Sequence, residues 1–206
     1  MARSVLSLRK PKMPLSEPAP RAHLHTRTVE CRGYRREDGL WDIEGHLVDT
    51  KTYPFDSNAR GPMPPGTPVH DMWIRLTMDD ELVVRGVEAV TDASPFPVCP
   101  EITPNFQRLV GLSIKSGWTQ QVRNLLGGTQ GCTHLVELLG PVATTAFQTI
   151  FSWRERQRRA QTVAGAPAGP QRRPPHLDTC HALASDGPEV ARVWPAFYTG
   201  PRRESA

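Results

Sequence analysis

The side chains best suited to chemistry lie in the heptapeptide Gly131–Glu137. A glycine-rich stretch precedes Cys132, and the apolar spacing that follows predicts that this cysteine lies at or just before the start of a helix. Free N–H groups and the helix dipole at such a start favour a thiolate over a thiol. His134 and Glu137 are three residues apart and so share one helix face. A thiolate, an imidazole and a carboxylate are together either metal donors or a nucleophile with its base and orienting group.

A second cysteine, Cys99, lies in the sequence Pro-Val-Cys-Pro, where the predicted strands give way to helices. If Cys99 meets Cys132 over the helical layer, the two thiolates and His134 supply three ligands, and a carboxylate can supply the fourth. Candidates for the fourth position are Asp42, Asp49, His70 and Asp71. The predicted metal ligands are Cys99, Cys132, His134 and Asp49, and the predicted cofactor is zinc or an iron or iron–sulfur centre.

The same residues allow other interpretations. In a small thiol-dependent enzyme, Cys132 is the nucleophile, with His134 or His70 as its base. In a non-catalytic interaction module, basic tails meet acidic partners and the cysteine only packs as a small apolar residue. The C-terminal residues His176, Cys180 and His181 have a spacing that can bind metal, but one short segment supplies too few ligands for a closed site.

The first half of the chain predicts strands. Thr, Val and Tyr are frequent from His25 to Arg36, and apolar residues alternate with polar ones from Trp41 onward and again over 69–78. A β-branched run over 82–91 predicts the hairpin partner of the 69–78 strand, and the Pro/Gly-rich residues 54–67 predict a loop. Continuing the alternation from Trp41 places Asp49 on an apolar face, where an unpaired charge is costly and requires a partner.

The second half predicts helices, around Phe106, from Trp118 to Leu126, and over a long segment from Cys132 to Arg158. Strands first and helices after are typical of an α+β fold. We therefore expect an antiparallel sheet of about four strands, followed by three helices packed on one face.

Charge and composition divide the chain. Residues 1–36 carry a net charge of +7 and residues 37–149 a net charge of −7, while 21 prolines concentrate outside the predicted core. The predicted organisation is a disordered basic tail (1–24), a single domain (25–158), a Pro/Arg linker (159–175), a C-terminal segment docking back (176–198) and a tail (199–206). An acidic domain is a poor phosphate-binding surface, which argues against nucleic acid as its partner and leaves a protein partner as the alternative. The sequence predicts no membrane span and no secretory signal, and hence a cytoplasmic protein.

Several motifs occur in the order of a known family. The chain resembles a proteobacterial family of domains of unknown function, number 2889, over about residues 25–198. The resemblance lies in Gly33–Gly45, Asp49–Lys51, His70–Met72, Leu109–Leu112 and Gly131–Leu135. It implies no established activity.

A more distant likeness concerns the NifU/SufE-like scaffolds of iron–sulfur assembly, which share the order of sheet, cysteine, helices and a final Cys/His pair. By that likeness Cys99 corresponds to the cysteine after the last strand. Cys132 and His134 correspond to the Cys/His pair. The likeness implies a metal- or sulfur-handling domain.

Overall fold

Six strands form two sheets in a computed structural model that describes residues 15–163 and 173–201. The strands are β1 His25–Arg35, β2 Trp41–Lys51, β3 Phe55–Ser57, β4 Gly61–Met63, β5 Pro68–Met78 and β6 Val84–Ala93. The main sheet has the order β1-β2-β5-β6, with every neighbouring pair antiparallel. The hairpin β3-β4 corrects the expectation that residues 54–67 are only a loop; Gly61, with a φ of +72°, adopts the left-handed conformation that starts β4.

The helices follow the strands, as predicted, and the fold is α+β. They are α1 Trp118–Leu126, α2 Thr133–Val163 and α3 Pro188–Val193, with 3-10 helices at Cys99–Leu109, Gly128–Gln130, His181–Leu183 and Pro195–Phe197. The first predicted helix is therefore a 3-10 helix; its internal Pro104 has no N–H to donate to an α-helical ladder. Buried residues of this helix, α1 and α2 join those of β2 and β5 in one core, so helices cover one face of the sheet.

Helix α2 lies close against β1 and β2 because both strands carry a glycine under it. A Cβ atom added at Gly45 would lie 2.6 Å from Val142 Cγ2, and one added at Gly33 would lie 2.1 Å from Thr149 Oγ1. Farther along the helix, Trp153 packs edge-on against Trp41 with a centroid distance of 6.4 Å. The first turn of α2 is thereby brought to the opposite end of β2, where Asp49 lies.

The uncovered face of the sheet is polar. Arg75 bridges Glu44 and Glu88 with N–O distances of 2.8 and 2.7 Å. His46 Nε2 lies 2.7 Å from Asp71 Oδ1, and the His46 ring stacks on Trp73. These pairs are partly exposed cross-strand contacts of the kind that adds little stability.

One helical segment, Thr133–Ala160, is long and apolar enough to cross a membrane, with a mean hydropathy of 1.2 in its best 18-residue window. Length and composition alone are weak evidence for a span, because the core helix of a globular domain meets the same criterion. Here the apolar residues Leu135, Leu138, Leu139, Val142, Ala146 and Ile150 are buried in the core that α2 shares with the sheet. The burial of this face accounts for the apolar character of the segment.

The chain divides into two units, Met1–Arg154 and Glu155–Ala206. The second unit has its own buried residues, Leu177 and Val190, and Ser185 donates a hydrogen bond of 2.6 Å to Asp178. Its described part after residue 173 forms short helices and contains no strand. Residues 1–14, 164–172 and 202–206, which include most of the predicted N-terminal tail and linker, lie outside the described residues.

The close approach of α2 predicts that Gly45→Ala destabilises the protein by about 2 kcal/mol, because the added methyl overpacks the space held by Val142 and Leu138. Gly86→Ala is the matched control, since a Cβ there meets Thr77 Cβ at an ordinary 3.5 Å. That control should be neutral or stabilising by up to about 1 kcal/mol, because alanine loses less backbone entropy. Urea unfolding measures both, and equal effects would contradict the packing argument.

Candidate functional site

A row of three side chains crosses the helix-covered face of the sheet. Arg27, Asp49 and His70 occupy directly opposed positions on β1, β2 and β5. Arg27 donates from Nε to Asp49 Oδ1 and from Nη2 to Asp49 Oδ2, both at 2.8 Å, and His70 Nδ1 lies 2.9 Å from Asp49 Oδ2. His25 Nε2 adds a fourth contact, 3.1 Å from Asp49 Oδ1. The sheet register therefore assembles these residues without help from any loop.

Asp49 is a buried charge, with 1% of its surface exposed. Burial raises the pKa of its carboxyl, but hydrogen bonds from Arg27, His25 and His70 and the charge of Arg27 outweigh that cost. The pKa of Asp49 therefore lies well below its usual range. Four hydrogen bonds also occupy the four acceptor positions of a carboxylate. The partner that the sequence required for Asp49 is thus a guanidinium with two imidazoles.

The start of α2 brings further donors to the same place. Cys132 directly precedes the helix, as predicted, and its carbonyl accepts the N–H of Val136 at 2.9 Å. Gly131 fits the tight turn before it, because a Cβ there would lie 2.3 Å from the carbonyl oxygen of Leu126. From the first turn, Glu137 accepts a hydrogen bond of 2.8 Å from Arg27 Nη1. Arg27 thereby links the sheet to the helix.

His134 lies against His70, with ring centroids 3.8 Å apart and planes inclined by 33°. Burial lowers the pKa of both imidazoles, and the pKa of His134 is lowered further by the charge that a protonated His70 would carry and by the charge of Arg27. Both rings are therefore held toward the neutral form, in which one nitrogen of each carries a free lone pair.

Two sulfur atoms border the imidazole pair. Cys132 Sγ lies 3.9 Å from His134 Nδ1 and 3.8 Å from Met72 Sδ. Met72 is 1% exposed and shares a face of β5 with His70, two residues away. Cys132 is half-buried and packs against the core. We call Asp49, His70, His134, Cys132 and Met72 the buried cluster.

Three of these residues have metal-binding spacing. Among the described residues, Asp49, His70 and His134 form a group whose donor atoms all lie within 4.8 Å of one another. Neutral imidazoles are the commonest protein ligands of zinc, copper and iron. The arrangement can thus hold a cation between the sheet and the first turn of α2, or serve acid–base chemistry on the adjacent thiol.

The structure places some of the predicted site residues in the buried cluster and others elsewhere. Asp49, His134 and Cys132 meet in the buried cluster, joined by His70, which the sequence named as an alternative ligand. Cys99 opens the 3-10 helix Cys99–Leu109, where its N–H donates to the carbonyl of Phe96, and the Asp49–His70–His134 group does not include it. Asp42 and Asp71 extend to the uncovered face, bonded to Thr77 and His46.

Arg27, His25 and Met72 are missing from the sequence prediction. The pairing of Arg27 with Asp49 can be predicted from the short turn between β1 and β2. A hairpin that pairs Arg35 with Trp41 also pairs Arg27 with Asp49. The C-terminal residues His176, Cys180 and His181 form no metal-binding group within the described part of the chain. There His176 packs edge-on against Trp194, and Cys180 is exposed.

The fold and the buried cluster define an α+β protein in which side chains able to bind a metal lie beside the first turn of the helix that covers the sheet. The chain belongs to the family described as protein of unknown function DUF2889, whose profile matches residues 25–148. The match contains the whole sheet and every residue of the buried cluster. No curated protein and no solved structure matches the chain. The likeness to NifU/SufE-like scaffolds gains no support from these comparisons and stays a prediction.

The burial of Asp49 predicts that Asp49→Asn destabilises the metal-free protein by about 2 kcal/mol, because an amide cannot accept all the hydrogen bonds that Arg27, His25 and His70 make to the buried carboxylate. Glu44→Gln is the matched control: Glu44 also pairs with a directly opposed arginine, but on the uncovered face. Glu44→Gln should lower the free energy of unfolding by no more than about 1 kcal/mol. Urea unfolding in the presence of a chelator measures both variants.

The difference in the free energy of unfolding between the parent and Asp49→Asn should depend on pH. A carboxyl whose pKa is lowered by folding stabilises the protein above its unfolded pKa of about 3.9, and that stabilisation is lost as pH falls through the folded value. The difference between the parent and Asp49→Asn should therefore be full at pH 7 and shrink below about pH 4. A difference that stays constant down to pH 3 would show that Asp49 does not act through its charge.

Proposed function

We propose that this domain binds one transition-metal ion at the buried cluster, with His70, His134 and Cys132 as its protein ligands. The observation that carries the proposal is the group of Asp49, His70 and His134, whose donor atoms lie within 4.8 Å of one another, with Asp49 buried and both histidines half-buried.

Asp49 acts as the positioning carboxylate. A carboxylate only accepts hydrogen bonds, so the His70 nitrogen 2.9 Å away, Nδ1, carries the proton. In a neutral imidazole the lone pair is then on Nε2, which is the atom left for a metal. A carboxylate that fixes the tautomer of a ligating histidine is a recurrent feature of metal sites. Because its acceptor positions are filled, Asp49 supports the ion through His70 and does not need to bind it.

His134 and Cys132 supply the remaining donors from α2. The neutral His134 ring turns a nitrogen toward the ion once it rotates from its contact with His70, and the Cys132 sulfur is 3.9 Å from its Nδ1. One cysteine among the clustered donors favours a mononuclear ion over an iron–sulfur centre, which several thiolates hold. Two imidazoles and one thiolate leave a coordination position for a substrate or a partner's ligand.

The proposal predicts that protein loaded anaerobically with zinc or iron(II) and desalted holds about one equivalent of metal, and that His70→Gln with His134→Gln abolishes it. His46→Gln is the matched control, because His46 also pairs with an aspartate, Asp71, but on the uncovered face. Elemental analysis measures the metal, and circular dichroism checks folding. Equal metal content in the parent and the double variant would rule out this site.

A second function rests on the contact between Cys132 Sγ and His134 Nδ1, since a neutral imidazole beside a half-buried thiol at a helix start can act as its base. It predicts that iodoacetamide alkylates Cys132 of the metal-free protein faster than the exposed Cys180 at pH 7. His134→Gln should slow the alkylation of Cys132 and leave the alkylation rate of Cys180 unchanged. Peptide mass spectrometry follows each site, and slower alkylation of Cys132 than of Cys180 in the parent would exclude an activated thiol.

A further inference from the structure

The two sulfur atoms of the buried cluster indicate which metal ion the site would bind. Cys132 Sγ lies 3.8 Å from Met72 Sδ and 3.9 Å from His134 Nδ1, so the cysteine sulfur is flanked by a thioether and an imidazole. The His70 ring follows at a centroid distance of 3.8 Å from that of His134. A thioether, a thiol and two imidazoles thus follow one another from β5 to the first turn of α2 and back to β5.

The spacing fits donors that share one ion. With metal–sulfur bonds of roughly 2.3 Å and metal–nitrogen bonds of roughly 2.05 Å, two sulfur donors are about 3.8 Å apart in a tetrahedral site and about 4.0 Å apart in a trigonal one. A sulfur and a nitrogen donor are about 3.6 and 3.8 Å apart in the same two geometries. The 3.8 Å between Cys132 Sγ and Met72 Sδ equals the tetrahedral sulfur–sulfur separation. The 3.9 Å between Cys132 Sγ and His134 Nδ1 exceeds the trigonal sulfur–nitrogen separation by only about 0.1 Å.

The chemistry of the donors distinguishes between metals. Zinc in proteins is bound by cysteine, histidine and carboxylate side chains, whereas thioethers are soft ligands that select copper(I). Two histidines, one cysteine and a methionine are also a donor set of protein copper sites. The one carboxylate of the cluster, Asp49, has its acceptor positions filled by Arg27, His25 and His70.

We propose that the buried cluster selects copper(I) over zinc, with Met72 and Cys132 as its sulfur ligands beside His134 and His70. This inference rests on the proposed metal-binding function and adds two things to it: the identity of the ion, and Met72 as the ligand at the coordination position that His70, His134 and Cys132 leave open. Met72 is fixed for the role by its position on β5 and by its almost complete burial. Cys132 is half-buried and gives a copper donor access.

The test compares Met72→Leu with Met78→Leu, a matched control on the same face of β5 that is also fully buried. Copper(I) affinity is measured anaerobically by competition with bathocuproine disulfonate, and zinc affinity by competition with a chromophoric chelator. Met72→Leu should weaken copper(I) binding at least about tenfold, by analogy with lost supporting ligands, and change zinc binding less than about twofold. Met78→Leu should change neither affinity.

The outcomes separate this inference from the function on which it rests. If His70→Gln abolishes metal binding but Met72→Leu leaves the copper(I) affinity unchanged, the cluster is a metal site and the selection of copper(I) is wrong. If the parent binds neither copper(I) nor zinc, both proposals fall. If Met72→Leu does not fold, X-ray absorption of the copper(I)-loaded parent decides the matter, with two sulfur donors expected and one sulfur donor overturning the assignment.

Discussion

The constraint on which the site depends is the burial of one carboxylate. Asp49 is a charged residue on the apolar face of a central strand, and a buried charge persists only when it is paired and fully hydrogen-bonded. Arg27 and His70 meet it from the two neighbouring strands, so three strands must hold a fixed register for the charge to be tolerated. A register slip would leave the buried charge of Asp49 unpaired, which costs free energy. A slip by one residue would also turn the apolar side chains of β2 outward.

The covering helix then decides where chemistry can occur. Because Gly33 and Gly45 leave room for it, α2 lies close to β1 and β2, and its first turn reaches the end of the sheet that holds Asp49. Arg27 binds both Asp49 and Glu137, so one guanidinium ties the carboxylate of the sheet to that of the helix. His134 consequently lies against His70, and burial lowers the pKa of both imidazoles. The same interactions that stabilise the fold therefore prepare donors for a soft or borderline metal ion.

Much of the fold was accessible from the sequence, because its patterns are local. Alternation of apolar and polar residues located β2 and β5, helical spacing and Gly127 located α1, and the glycine before Cys132 marked the start of α2. The hairpin β3-β4 was missed because three-residue strands are too short to show a period. The helix after Cys99 was expected in the correct place, but its 3-10 geometry follows from its prolines and was not foreseen.

The sequence by itself determined that Asp49 would face the core and need a partner, and that Cys132 and His134 would stand together at a helix start. Both conclusions follow from periodicity, which fixes the face on which a side chain lies. The tertiary structure alone decided that the partners are Arg27 and His70, and that Met72 lies beside Cys132. Those pairings join residues 22, 21 and 60 positions apart. The 16 residues between β2 and β5 set no register in advance, so only the packed sheet brings Asp49 opposite His70.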